Sequence, residues 1–138
     1  MEQLSQEWFE ARLGKVTASR VSDVIATRKG QESSVRAKYK LQLVTERLTN
    51  KKVDTYMNQA MQDGIEREPM ARQIYEEYKN LKVIETGFVD HPTIQMAGAS
   101  PDGLVGDDGI IEIKCQIETT HRTNLIEKKL PLKYKPQV

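Results

Sequence analysis

The sequence predicts an α/β or α+β domain, and two observations predict it. Apolar residues recur at helical spacing up to about Asn80, and beyond it the period falls to two, with turn residues between short apolar runs. A return to helical composition at 119–129 completes an order of helices, a mostly antiparallel sheet and a final helix. At 138 residues the chain is long enough for one compact domain with a core and short for two.

Taken in order, Ser5 caps a helix over about 6–13, with Glu7 in its first turn, Trp8, Phe9 and Leu13 as apolar anchors and Gly14 marking its end. A second helix starts at Thr17 or Ser19, since Val21, Val24 and Ile25 follow at helical spacing. Residues 27–34 read as a polar loop. Val35, Leu41, Val44 and Leu48 give a third, amphipathic helix over about 34–48, closed by Asn50-Lys51-Lys52. A longer pattern runs from about Asn58 to Tyr78, and Gly64 and Pro69 within it predict a bend or a restart. Strands follow at Val83-Ile84, Gly87 to Val89, Ile94 to Gly98, Leu104-Val105 and Ile110 to Lys114. The chain shows no internal repeat and no low-complexity tract, and it finishes in the Lys- and Pro-rich LPLKYKPQV.

Composition narrows the function by exclusion. Apolar residues make up 38% and charged residues 30%, and the net charge is +1, so no large basic excess marks a protein that coats nucleic acid by charge alone. A carboxylate metal site would mask a basic groove. No basic n-region followed by an apolar run opens the chain, and no stretch approaches a membrane span, so a cytoplasmic protein without membrane contact is expected. The single cysteine, Cys115, sits in an apolar run with no His nearby in sequence, which favours an inert thiol. His91, before a proline, reads as a turn residue and His121 as an exposed helix position; neither is assigned to a metal.

The chemistry lies in Ser100-Pro101-Asp102-Gly103-Leu104-Val105, then Gly106-Asp107-Asp108-Gly109, then Ile110-Ile111-Glu112-Ile113-Lys114. Alternation puts Glu112 and Lys114 on one face of the second strand. An isolated E-x-K is usually a solvated face, so register decides. A three-residue loop Asp107-Asp108-Gly109, with Gly109 left-handed, sets Asp102 opposite Lys114 and diagonal to Glu112. A two-residue Asp107-Asp108 loop sets Asp102 opposite Ile113 and scatters the group over both faces. With the longer loop, two carboxylates and an amine share a face, and oxygen ligands without a Cys or His cluster favour Mg²⁺, or Mn²⁺, over zinc. Asp102 and Glu112 are then metal ligands, the Ile113 carbonyl is a third, and Lys114 positions the attacking water for phosphodiester hydrolysis. Arg12, Thr17 and Ser19 are phosphate-binding candidates, because hydroxyls and free N–H groups at a helix start attract phosphate and a guanidinium grips two of its oxygens. The plain readings are an N-cap for Thr17 or Ser19 and a surface charge for Arg12. Lys128, Lys129, Lys133 and Lys135 are candidates for the DNA backbone or for a solvated basic face.

SPDGL followed by EIK resembles the core of the PD-(D/E)xK nucleases. Three further segments are similar to the branch that holds phage lambda exonuclease and the YqaJ-like viral recombinases: Ala11-Arg12-Leu13-Gly14-Lys15-Val16-Thr17-Ala18-Ser19, Gly64-Ile65-Glu66-Arg67-Glu68-Pro69-Met70-Ala71-Arg72, and Tyr134-Lys135-Pro136-Gln137-Val138. They span the chain almost end to end. The resemblance implies a restriction-endonuclease-like α/β core, with a mixed central sheet flanked by helices and an N-terminal helical segment. It implies that Glu68 joins Asp102, Glu112 and Lys114 at the metal, and that Arg12, Ser19, Ser100 and Gln137 surround a 5′-terminal phosphate. Glu66 has no such match.

The resemblance further implies a Mg²⁺-dependent exonuclease that hydrolyses double-stranded DNA in the 5′-to-3′ direction to mononucleotides in recombination, in a phage or prophage of a bacterial host. Family members form rings of three and pair with a single-strand annealing protein. They also continue through another helix–strand region, so one YqaJ-like exonuclease domain over 1–138, lacking the usual C-terminal elements, is expected. Two rivals remain: a structure-selective endonuclease on the same core, and a non-catalytic relative that binds DNA ends.

Overall fold

The computed structural model describes residues 1–54 and 56–137; Val138, the last residue of the third matching segment, lies outside the described residues. The chain divides into two compact units. One comprises Met1–Asp54, Gly87–Ser100 and residues 131–137; the other comprises residues 56–86 and Pro101–Leu130.

In the first unit, α1 (Gln6–Arg12) starts as the sequence predicts: Ser5 is extended and its Oγ accepts the Trp8 N–H at 3.2 Å. Gly14 then turns the chain at φ 66°, and a Cβ there would lie 2.5 Å from Arg47 Cγ. Arg47 Nε donates to the Gly14 carbonyl at 2.8 Å while the buried Glu46 carboxylate takes the Gly14 N–H at 3.0 Å, so the turn is clamped from both sides. The expected helix start at Thr17 is instead β1 (Val16–Thr17), followed by a 3₁₀ turn at Ala18–Arg20 and only then α2 (Val21–Ile25). The polar loop expected at 27–34 is in part a hairpin, β2 (Thr27–Arg28) with β3 (Gln31–Glu32). Lys29 and Gly30 both take positive φ, 52° and 76°, which suits a tight hairpin turn.

Helix α3 (Ser34–Thr49) opens on Ser33, whose Oγ accepts the Arg36 N–H at 3.2 Å, and ends on Asn50 at φ 52°. It buries Tyr39, whose hydroxyl accepts the Thr17 N–H at 3.3 Å. Strand β4 (Val89–Asp90) runs antiparallel to β5 (Ala97–Ala99), and β1 runs parallel to β5 on its other side, giving a small mixed sheet. A second 3₁₀ segment, Leu132–Gln137, packs on α2 and on Ala18–Arg20.

In the second unit, α4 (Gln59–Lys79) is capped by Asn58, whose Oδ1 accepts the Met61 N–H at 2.9 Å, and closes on Asn80. Of the bend or restart expected at Gly64 and Pro69, the restart does not occur, since α4 runs on through both residues. Pro69 forfeits one donor, but side-chain pairs at i,i+4 lace the helix on both sides of it, and Arg72–Glu68 at 2.7 Å straddles it. Beyond the helix, Val83 is buried and its N–H is held by Glu76 Oε1 at 2.6 Å. Ile84 bridges Leu104, which lies in β6 (Gly103–Val105); β6 pairs antiparallel with β7 (Gly109–Ile111), and α5 (Glu118–Glu127) follows. Among the described residues the strands thus make three small sheets rather than one central sheet, because the pairings are only two or three residues long.

Candidate active site

The β6–β7 register is Gly103↔Ile111, Leu104↔Ile110 and Val105↔Gly109. The loop has three residues, as the face-sharing argument requires, but they are Gly106-Asp107-Asp108, and the left-handed glycine is Gly106 at φ 61° rather than Gly109. The pairing expected between Gly106 and Ile110 is therefore shifted. Continued one step past the ladder, it sets Asp102 opposite Glu112 rather than Lys114. A shift of this size keeps the parity within the ladder, which ends at Gly103 and Ile111, short of Asp102, Glu112 and Lys114. β7 stops at Ile111, which frees the backbone of Glu112 to Lys114 from the expected strand. The Ile113 N–H is then available and donates to Asp102 Oδ2 at 2.6 Å.

Asp102 is buried, and its carboxyl is pushed up to about 6 by that burial, with the charges of Glu112 and Glu68 adding to the rise and the Ile113 N–H and Lys114 opposing it. The Lys114 ammonium donates to Glu112 Oε1. Glu68 sits on α4, where Arg72 Nη2 holds its Oε1 at 2.7 Å; Arg72 Nη1 also meets Glu85 Oε1 at 2.5 Å. Among the described residues no three His, Cys, Asp or Glu side chains converge closely enough to hold a metal ion. Asp102, Glu112 and Glu68 are thus not gathered on one point as expected, since Glu112 is drawn to Lys114 and Glu68 to Arg72. The donor set still fits a hard divalent cation in its chemistry: it offers carboxylate oxygens, and the charges of Glu112 and Glu68 are both felt at the buried Asp102 carboxyl.

The phosphate candidates lie in the first unit. The Arg12 guanidinium stacks 3.8 Å from the Trp8 ring centroid, and the Trp8 N–H donates to Ser100 Oγ at 2.9 Å, so one indole ties two of them together. Burial lowers the Arg12 pKa from its ordinary value, with Tyr39 and Glu46 pulling the other way. The Thr17 hydroxyl makes no cap bond; it lies 3.4 Å from the Ser19 hydroxyl, and Thr17 itself is buried. Gln137 stands on the 3₁₀ segment that packs against the turn carrying Ser19.

His91 Nδ1 accepts the Thr93 and Ile94 N–H groups at 3.2 and 2.9 Å, a turn role, and burial pushes the Cys115 thiol up, which keeps it protonated and inert. Sequence reasoning passed over Trp8 and Arg72 as participants. An indole N–H in a buried ring needs a partner, which is the signal Trp8 offered; the partnership of Arg72 with Glu85 is non-local and left none.

The YqaJ-like viral recombinase domain model matches residues 7–138. The chain belongs to this family. No curated protein matches the sequence. Among solved structures, the complex of LHK-Exo with dAMP superposes with a TM-score of 0.87 at 47% identity, covering 96% of this chain and 65% of that one. LHK-Exo, an alkaline exonuclease from Laribacter hongkongensis, matches again in a second structure with a TM-score of 0.86 at 47% identity, over 96% of this chain and 64% of that one. The YqaJ-like chain thus spans about 65% of the length of LHK-Exo.

Proposed function

We propose that the chain is a Mg²⁺-dependent deoxyribonuclease that degrades duplex DNA from the 5′ end to mononucleotides. The observation that carries this reading is the group around Asp102, a buried carboxyl raised to about 6 chiefly by burial and influenced by the charges of Glu112, Glu68 and Lys114, of which Lys114 bonds Glu112. The likeness to LHK-Exo, an alkaline exonuclease solved with a deoxynucleoside monophosphate, supports it.

Asp102, Glu112, Glu68 and the Ile113 carbonyl would hold Mg²⁺, with Mn²⁺ able to replace it. Such an ion supplies a water of lowered pKa and neutralises charge on the phosphodiester. The Ile113 N–H fixes the Asp102 carboxylate through Oδ2. Lys114, whose ammonium donates to Glu112 Oε1 and so lies among the carboxylates, orients the attacking water. The water oxygen bonds to phosphorus, the bond to the leaving 3′-oxygen breaks, and that oxygen takes up a proton. The next nucleotide is left with a 5′-phosphate, the group assigned to Arg12, Thr17, Ser19, Ser100 and Gln137. Each turnover therefore regenerates the end that the phosphate cluster holds.

Family membership supports the remaining readings: action in phage recombination within a bacterial cytoplasm, with a single-strand annealing protein as partner; the ring of three formed by family members is not assigned to this chain. No helix among the described residues is long and apolar enough to cross a membrane. The test compares linear duplexes bearing a 5′-phosphate or a 5′-hydroxyl, in the wild-type protein and in Arg12→Ala. Faster release of mononucleotides from the phosphorylated end, with that preference lost in the variant, is the expected result. Equal rates on both ends would remove the phosphate assignment.

A further inference from the structure

Arg72 is 11% exposed, yet it carries a full charge and spends it on two carboxylates, Glu68 at 2.7 Å and Glu85 at 2.5 Å. A buried guanidinium is costly unless paired. Its Nε is buried and has no hydrogen-bond partner among the described residues, a further cost that packing alone does not explain. The two carboxylates differ in kind. Glu85 is 69% exposed and stands beyond the helix, whereas Glu68 is 27% exposed and its charge is felt at Asp102. Glu68 gives only Oε1 to Arg72 among the described residues, leaving Oε2 for another electropositive partner.

We infer that Arg72 is a positioning residue: anchored by Glu85, it fixes the Glu68 carboxylate so that its second oxygen is presented to the cation that Asp102 and Glu112 bind. The inference rests on the metal reading above and deepens it. The planar guanidinium meets the two carboxylates through two separate nitrogens held in a rigid fork, Nη2 on Glu68 and Nη1 on Glu85; a lysine ammonium offers a single nitrogen on a flexible stem and holds neither orientation as firmly. The one-turn spacing from Glu68 to Arg72 fixes the pair along α4, and Glu85 fixes the guanidinium from outside the helix. Groups that orient a metal ligand are worth about 10- to 100-fold in metal affinity.

The experiment is a calorimetric titration of the EDTA-stripped full chain with Mn²⁺, well below its melting temperature, for the wild type, R72K, E85Q, E68Q and the R72K/E68Q pair. Circular dichroism checks that each is folded. R72K should weaken Mn²⁺ binding about tenfold, E85Q less, and R72K should add nothing in the E68Q background. Wild-type affinity in R72K, or a full additional loss in the double variant, overturns the inference, because a residue that only supports the fold lowers melting without acting through Glu68. Should R72K fail to fold, E85Q decides: weakened Mn²⁺ binding that disappears in the E68Q background supports the role, and wild-type affinity overturns it. A wild-type protein that binds no Mn²⁺ overturns the metal reading itself, an outcome distinct from unchanged variants of a protein that does bind.

Discussion

At the scale of single residues, Asp102 governs the behaviour with pH. Its folded value of about 6 exceeds the ordinary 3.8, so the folded protein holds that proton more tightly than the unfolded chain. The associated stability is fully present below about 4 and is lost as pH rises through about 6, a change of at most about 3 kcal/mol. In EDTA, melting of the wild type should therefore fall across pH 4–6 relative to Asp102→Asn, which lacks the titration; parallel curves would contradict the assignment. Glu112 and Lys114 share a charge-assisted bond, so Glu112→Gln should abolish turnover while leaving the far-ultraviolet dichroism unchanged. Alternation and the parity of a three-residue loop made Asp102, Glu112 and Lys114 legible as neighbours: Lys114 bonds Glu112 and both charges are felt at Asp102, although the ladder itself ends at Gly103 and Ile111. Which residue stands opposite Asp102 was not legible, because either Gly106 or Gly109 could supply the left-handed turn and both are glycines.

Among the elements, the helices were the readable part, because their caps lie in the local sequence: Ser5, Ser33 and Asn58 each take an N–H of the first turn. Ser33→Ala should cost about 1 kcal/mol in urea unfolding, and an unchanged midpoint would show that the cap is idle. The β6–β7 hairpin is more demanding. A Cβ on Gly103 would fall 2.1 Å from Val83 Cγ1, so Gly103→Ala must push a buried side chain aside, and a cost of about 1–3 kcal/mol is expected in the same assay. The β2–β3 hairpin escaped the sequence because both its strands are exposed and polar, leaving no alternation to detect. The parallel pairing of β1 with β5 escaped it because only Val16 and Thr17 take part, too few residues to show a period, and their partners lie far along the chain. The continuity of α4 through Pro69 depends on side-chain pairs that the proline signal overrode in the reading of the sequence.

For the molecule as a whole, two compact units divide the tasks assigned here, with the carboxylates and Lys114 in one and the phosphate candidates in the other. Family membership was readable from four short segments spread from Ala11 to Val138, and the domain model accordingly matches 7–138. Many large apolar side chains are exposed, Leu48, Tyr78, Ile126 and Leu132 among them, and the buried apolar core named by Trp8, Tyr39 and Val83 is thin. A ligand that binds only the folded state should then be felt strongly in its stability. Mg²⁺ at a hundredfold its Kd is expected to add about 2.7 kcal/mol, read as a rise in melting temperature that EDTA reverses. The most direct measurement is nucleotide release from linear duplex DNA carrying a 5′-phosphate, with Mg²⁺ or EDTA, beside a covalently closed circle and Lys114→Ala. Mg²⁺-dependent loss of the linear duplex alone, abolished in the variant, is the predicted result; an intact linear duplex with folded wild-type protein, or cleavage of the circle, would contradict it.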